Sequence, residues 1–340
     1  MESIMKLDQK YNWFVTGAAG FVASHICDFL IKNDQNVIAI DNFTTGLQSN
    51  IDYLESLAIE NPQASFKFYN ADICNTEKMK ELSNSCDKII HQAALGSVPR
   101  SINHPVDSHH NNVNGFISIL EAARANNIKR VVYASSSSVY GNSPKLPKTE
   151  EDTGKVLSPY AATKAINEVY ADAYTNAYGM ELIGLRYFNI FGPRQNPNGA
   201  YAAVIPKWIG QFLEGNIPNI NGDGTTSRDF CYVDNAVYAN ILASTTNNNS
   251  AFGEVFNVAC EQQTSLNDLY KIINNSLHEL DPQISIQDPV YLGFRKGDIK
   301  HSLANISKAK TLLSYTPKVL VKEGLNQTVK HFFNEYRNKQ

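Results

Sequence analysis

The chain has no Cys-x-x-Cys pair, no run of about 18 apolar residues, and no block of one charge sign. Its five cysteines, Cys27, Cys74, Cys86, Cys231 and Cys260, are scattered and odd in number. That pattern excludes a disulfide framework and a zinc site, so no metal is expected, and it suits a reducing compartment. Thirty basic residues stand against 33 acidic ones, a formal charge of −3. Such a balance gives no support for nucleic acid or an acidic membrane surface as partner. Residues 1–10 alternate in charge where an apolar leader would be continuous, and the expected location is cytoplasmic. There is no internal repeat and no low-complexity tract. What remains is 340 residues, 43% of them hydrophobic: enough for a real core in two domains, or in one large α/β unit with a smaller lobe.

Short β-branched or aromatic runs alternate with longer helical patterns. Strands are expected at 12–16, 36–40, 67–69, 88–91, 130–135 and 182–187, with helices at 21–33, 78–83, 111–126 and from Tyr160 to Tyr178. Strand and helix in strict alternation predict a doubly wound parallel sheet of Rossmann type. From Gly192 onward Pro, Gly and Asn recur, as in a loop-rich lobe added at the sheet's C-terminal edges, and 247–250 reads as a loop tip.

Between the first strand and the first helix stands Thr16-Gly17-Ala18-Ala19-Gly20-Phe21-Val22-Ala23. Gly17 permits a tight turn, Gly20 lets the backbone approach a pyrophosphate, and the helix's first amides bind that anion. Asp41 closes the next strand, about 20 residues on, where a carboxylate holds the ribose hydroxyls of an adenosine. No arginine follows it closely, so NAD is favoured over NADP. Asp72, with Ile73, either sits near the adenine or caps the helix that follows.

Tyr160 and Lys164 form the only Tyr-x-x-x-Lys pair among 17 tyrosines. Residues four apart share a helix face, so an ammonium at Lys164 can favour the ionised form of Tyr160. A phenol works as a base at neutral pH only if its pKa falls by about 3 units, roughly 4 kcal/mol. One cation about 4 Å away at an effective dielectric near 20 supplies about that much. A serine cluster, Ser135 to Ser138, precedes the pair by one helix.

The glycine turn, Asn111-Asn112-Val113-x-Gly115, the serine cluster before Val139-Tyr140-Gly141, and the Tyr–Lys pair together resemble the extended short-chain dehydrogenase/reductase superfamily. The likeness runs from about residue 12 to about residue 313. Within it, Arg186-Tyr187-Phe188-Asn189-x-Phe191-Gly192-Pro193-Arg194 and Arg228-Asp229-Phe230-x-Tyr232-Val233 look like the nucleotide-sugar branch. The stretches from Ala94 to Ser101 and from Gly297 to Ser302 are similar to UDP-N-acetylglucosamine 4-epimerases of bacterial surface-polysaccharide pathways. Ala23 departs from the family's usual third glycine but is small enough for close helix packing.

The resemblance implies an NAD-binding unit at 1–187 and, at 188–340, mainly a UDP-sugar lobe with the chain crossing between the two. It implies that Ser136 bonds the sugar C4 hydroxyl, that Tyr160 removes its proton, and that Lys164 tunes Tyr160 and binds the nicotinamide ribose. Ser137 and Ser138 stay open as alternatives to Ser136. NAD would be held by Gly17, Gly20, Phe21, Val22, Asp41, Asn42, Asp72, Ile73, the run Gln92, Ala93 and Ala94, and by Asn111, Tyr160, Lys164 and Tyr187. Asn111 and Asn112 either orient Tyr160 or order a helix start. A buried diphosphate needs cations and amide donors; Asn189, Arg228 and Arg295 match the positions that grip it. Asp298 would hold the nucleotide ribose, and Val204, Lys207, Trp208 and Asn221 the uracil. A homodimer through the helices at 111–126 and 158–178 is implied as well.

Ser302 falls where the family faces the sugar's C2 substituent, with Gly96, Ser97 and Ser101 around the same pocket. A small residue there leaves room for an N-acetyl group, so UDP-GlcNAc and UDP-GalNAc are the expected pair. A 4,6-dehydratase would carry an acid pair after the catalytic hydroxyl, and Ser137-Ser138 stand there instead. A UDP-uronate epimerase or decarboxylase would want a cation near C6, for which Arg100 is available; a non-catalytic NAD sensor is the third alternative.

Overall fold

The computed structural model describes residues 5–197, 202–294 and 300–338. The chain opens with β1 (Asn12–Thr16), α1 (Phe21–Lys32), β2 (Asn36–Asp41), α2 (Gln48–Glu60), β3 (Ser65–Asn70), α3 (Thr76–Ser83) and β4 (Lys88–His91). Two short helices, α4 (Val98–Asn103) and α5 (Pro105–His109), lead through a π turn (His110–Asn114) into α6 (Gly115–Ala125). Then follow β5 (Arg130–Ser136), a 3-10 turn (Ser137–Tyr140), α7 (Pro159–Tyr178) and β6 (Glu181–Tyr187).

These strands are apolar on both faces because both faces are covered. Trp13, Val15, Val37, Ala39 and Ile90 point to one side, where Ile26, Leu30 and Ile31 of α1 and Ile51 and Leu54 of α2 cover them. Phe14, Ile89, Val131 and Leu182 point to the other, against α3 and α6 through Met79, Leu82, Phe116 and Ile119. All strands run parallel, in the order β3-β2-β1-β4-β5-β6, with a seventh strand, named below, beyond β6. The order reverses between β1 and β4, so the chain leaves their C-terminal ends in opposite directions and a crevice opens there.

The rest of the chain comprises β7 (Ile190–Phe191), α8 (Val204–Leu213), β8 (Asn219–Asn221), β9 (Ser227–Asp229), β10 (Cys231–Tyr232), α9 (Val233–Thr245), β11 (Val255–Val258), β12 (Gln263–Ser265), α10 (Leu266–Leu280), β13 (Val290–Leu292), α11 (Ser307–Leu313) and α12 (Val321–Arg337). Here the loop-rich expectation is corrected. Ile205, Trp208 and Phe212 of α8, Leu269 and Ile273 of α10, and Leu325 and Val329 of α12 build a separate core with Phe191 and Phe230. The short strands pair two by two: β7 with β10, β9 with β12, β8 with β13. In between, the chain returns to the main sheet, where β11 is the seventh strand beside β6 and α9 packs on the α1 side through Val237 and Ile241.

Candidate active site

The crevice at the reversal point is a cleft of about 310 Å³, within the range of small-ligand pockets. Gly17 follows β1 with φ +74°, and a Cβ there would lie 2.8 Å from the Ala93 nitrogen, so only glycine lets the two loops meet. α1 starts at Gly20 with no side-chain cap and no acid in its first turn, and Phe21, Val22 and Ala23 line the cleft. That is a place for an anion at a helix N-terminus. Asp41 ends β2, where it accepts the Ala19 amide at 3.0 Å and the Phe43 amide at 2.8 Å, while burial raises its pKa. Glycine turn, bare helix start and carboxylate fit a dinucleotide.

Of the residues assigned to NAD from the sequence, all but Asp72 line this one cleft, together with Gly96 from the sugar group. Asp72 is exposed and accepts the Cys74 amide at 2.8 Å in a local turn, while Asn75 caps α3. The capping reading of Asp72 is therefore corrected, since the cap lies three residues on, while its neighbours Ala71 and Ile73 line the cleft. Thr44, Thr45, Ala71 and Leu95 also line the cleft and were missed. They carry no motif, only adjacency to Asp41, Asp72 and Ala94.

α7 begins at Ser158, whose hydroxyl accepts the Ala161 amide, with Pro159 in its first turn. This start sets Tyr160 and Lys164 on the cleft face. The Lys164 ammonium is 3% exposed and donates to the Ala134 carbonyl at 2.8 Å; burial brings its pKa down to about 8, with Glu168 opposing. Burial raises the Tyr160 phenol, and the Ser136 hydroxyl pulls it back. The expectation that Lys164 lowers Tyr160 directly is corrected for this state: the ammonium is turned to a backbone carbonyl. Ser136 is the member of the serine cluster that bears on the phenol. Ser135 donates to Glu168, and the Ser138 hydroxyl is buried without a hydrogen-bond partner among the described residues.

Asn112 bridges three segments. It accepts the Leu95 amide at 2.7 Å, donates to the Leu95 carbonyl at 3.2 Å, and donates to Thr163 at 3.0 Å. Asn111 donates to the Asp107 carbonyl. Ser97 holds φ 102° and caps α4, and Ser101 is buried and bonds the Val98 carbonyl.

A second cleft, of about 330 Å³, lies in the smaller lobe and brings together Asn189, Val204, Lys207, Trp208, Asn221 and Arg228. Gln211, Asn219, Thr226, Phe230, Leu266 and Leu292 line it too and were not anticipated. Asn189 donates to the Asp229 carbonyl and Arg228 to the Ser227 carbonyl, so both are tied to β9. Arg295 and Asp298 lie outside the described residues. Ser302 donates its amide to the Ser227 carbonyl and lines neither cleft. The clefts adjoin through one segment: Tyr187, at the end of β6, lines the first and Asn189 the second. Among the described residues no group of three or more His, Cys, Asp or Glu could hold a metal, and no helix is long and apolar enough to cross a membrane.

A glycine turn at the reversal point of a parallel sheet, with a helical Tyr–Lys pair across the cleft, defines a dinucleotide-dependent enzyme of the extended short-chain dehydrogenase/reductase class. A model of the NAD dependent epimerase/dehydratase family matches residues 13–259, and the chain belongs to that family, with NAD as its cofactor. A solved UDP-N-acetylglucosamine 4-epimerase from Methanobrevibacter ruminantium M1, in complex with UDP-N-acetylmuramic acid, is 38% identical, covering 97% of this chain and all of that one, TM-score 0.87. The UDP-glucuronic acid 4-epimerase of Bacillus cereus, solved with UDP-glucuronic acid and NAD, is 32% identical over 96% of this chain and 100% of its own, TM-score 0.82. The UDP-glucose 4-epimerase of Mycolicibacterium smegmatis is 33% identical over 94% of this chain and 98% of its own.

Proposed function

We propose that this protein is a UDP-sugar 4-epimerase that interconverts UDP-GlcNAc and UDP-GalNAc through a transient 4-keto sugar. The observation that carries the reading is the pair of adjoining clefts. The one in the smaller lobe offers Asn189, Lys207 and Arg228 to a nucleoside diphosphate, and the next segment leads to Tyr160. Asn189 and Arg228 hold the diphosphate, and Trp208 and Asn221 the uracil. Gly17, Gly20, Asp41 and Lys164 would hold NAD, which when bound would supply reversible hydride chemistry at C4 and a positive ring charge favouring the Tyr160 phenolate. Ser136 bonds the C4 oxygen, and Tyr160 takes the hydroxyl proton and gives it back. Lys164 keeps a cation next to that exchange.

A hexuronate would bring a carboxylate, yet Lys164 is the only cation among the described residues lining the first cleft. That supports a neutral sugar, since a buried carboxylate wants a paired charge. The likeness to a UDP-glucuronic acid 4-epimerase keeps the uronate as the second reading. We also assign a homodimer, supported by exposed apolar side chains on adjoining helices: Ile102 of α4, Val106 of α5 and Val169 of α7.

The experiment is incubation of the purified protein with UDP-GlcNAc, and in parallel with UDP-Glc and UDP-glucuronate, without added cofactor. UDP-GalNAc as the main product is expected. Product from UDP-glucuronate alone transfers the assignment to the uronate. Tyr160→Phe should lower turnover by about 10³-fold while NAD still co-purifies; undiminished turnover rejects the role given to Tyr160.

A further inference from the structure

Glu168 stands one helical turn beyond Lys164 on α7. Its side chain is 14% exposed and crowded with donors. The Ser135 hydroxyl donates to Oε1 at 2.5 Å, and Arg186 grips both oxygens, through Nε at 2.9 Å and Nη2 at 2.8 Å. Arg186 is 4% exposed, and its Nη1 goes to the Tyr140 hydroxyl at 3.1 Å and to the Glu150 carbonyl at 2.7 Å. The interior beneath the cleft thus holds the cations Lys164 and Arg186 with the Glu168 carboxylate acting on both. One strand end touches the whole set: Ala134 takes the Lys164 ammonium, Ser135 bonds Glu168, and Ser136 bears on Tyr160.

Two buried cations near one anion are not equivalent. A guanidinium cannot release its proton in a protein, whereas a lysine can. Any loss of negative charge here therefore falls on Lys164. We propose that Glu168 is a positioning residue for the catalytic pair: bound by Arg186 and Ser135, it keeps the buried Lys164 ammonium charged and fixes the strand end that carries Ala134 and Ser136. Burial brings Lys164 down to about 8 even with Glu168 in place, and Glu168 is the influence that opposes the fall.

The other groups around Lys164 are accounted for. His91 on β4 feels its charge and is neutral, with a pKa of about 3. Tyr160 lies on the same helix, Tyr133 on β5 is a phenol that burial raises far above neutrality, and Arg186 on β6 is a fixed cation.

This inference rests on the catalytic reading of Tyr160 and Lys164, and the test separates the two. The pH dependence of kcat for UDP-GlcNAc epimerisation is measured for wild type, Glu168→Gln and Arg186→Gln, with the melting temperature and NAD content of each. Removing the anion should move both limbs of the profile down by about one pH unit. Removing the guanidinium leaves the whole carboxylate charge to Lys164 and should move them up. Limbs that coincide with the wild type in both variants, whatever happens to stability or kcat, overturn the proposal, because a merely structural Glu168 would do that. If Glu168→Gln does not fold, Arg186→Gln decides alone through its opposite sign. A wild type inactive on every UDP-sugar overturns the proposed function instead.

Discussion

His91 shows how burial silences a titratable group. It is 2% exposed at the end of β4, its Nδ1 lies 2.8 Å from the Thr16 hydroxyl, and its ring centre is 5.6 Å from that of Phe116. Burial, and then the charge of Lys164, push its pKa down from 6.5 to about 3. Its partners, a threonine hydroxyl and an aromatic ring, are those of a structural histidine. The folded state resists the proton that the unfolded chain accepts. Stability from this group is therefore complete above the ordinary pKa and is lost as pH falls toward the folded value. Between about pH 6.5 and pH 5 the wild type should lose about 2 kcal/mol more than His91→Gln. Urea unfolding of both proteins across that range checks it; parallel losses would remove His91 as the source. The helix cap expected of Asp72 falls instead to Asn75. A carboxylate three residues ahead of a helix cap can be taken by its own loop, as Asp72 is by the Cys74 amide, and the cap passes to a later residue.

Strands β1, β2, β4, β5 and β6 were legible because a strand covered on both faces must be apolar throughout, which a short window of sequence displays. α2 was not, since only Asn50, Ile51 and Leu54 are buried and Leu47 offers no capping side chain. The expected helix at 111–126 is a π turn followed by α6. The π turn matters because it carries Asn112, which is 1% exposed and ties the Leu95 loop to α7 at Thr163. Thr163 in turn donates to the Tyr160 carbonyl at 2.8 Å. Asn112→Ala should cost about 2–3 kcal/mol, because it strands the buried amide and carbonyl of Leu95. A urea midpoint left unchanged would mean that water replaces those bonds.

At the scale of the whole molecule, the two clefts exist because the chain leaves the sheet after β6, builds the smaller lobe, and returns as α9 and β11. Lys148 and Asn257 stitch the return: Asn257 donates to the Lys148 carbonyl and its amide is taken by Glu150. The outer face of α4, α5 and α7 bears on assembly. Val106 is 77% and Val169 69% exposed, on helices that pack side by side. On the proposed homodimer, Val169→Asp should shift the protein from dimer to monomer in sedimentation velocity while leaving far-ultraviolet circular dichroism unchanged. A wild type that already sediments as a monomer ends that assignment.

The α/β alternation, the glycine turn that only an unsubstituted backbone permits, and the Tyr–Lys pair on one helix face were all contained in the amino-acid order. Each depends on neighbours within a turn or a strand, where covalent spacing and backbone sterics act. The lobe's own core, the return of β11, the division of Tyr187 and Asn189 between two clefts, and the meeting of Glu168 with Ser135 and Arg186 were settled only by the folded chain. Those arrangements join segments far apart in sequence, and the packing and hydrogen bonds that select them exist only once the sheet has formed.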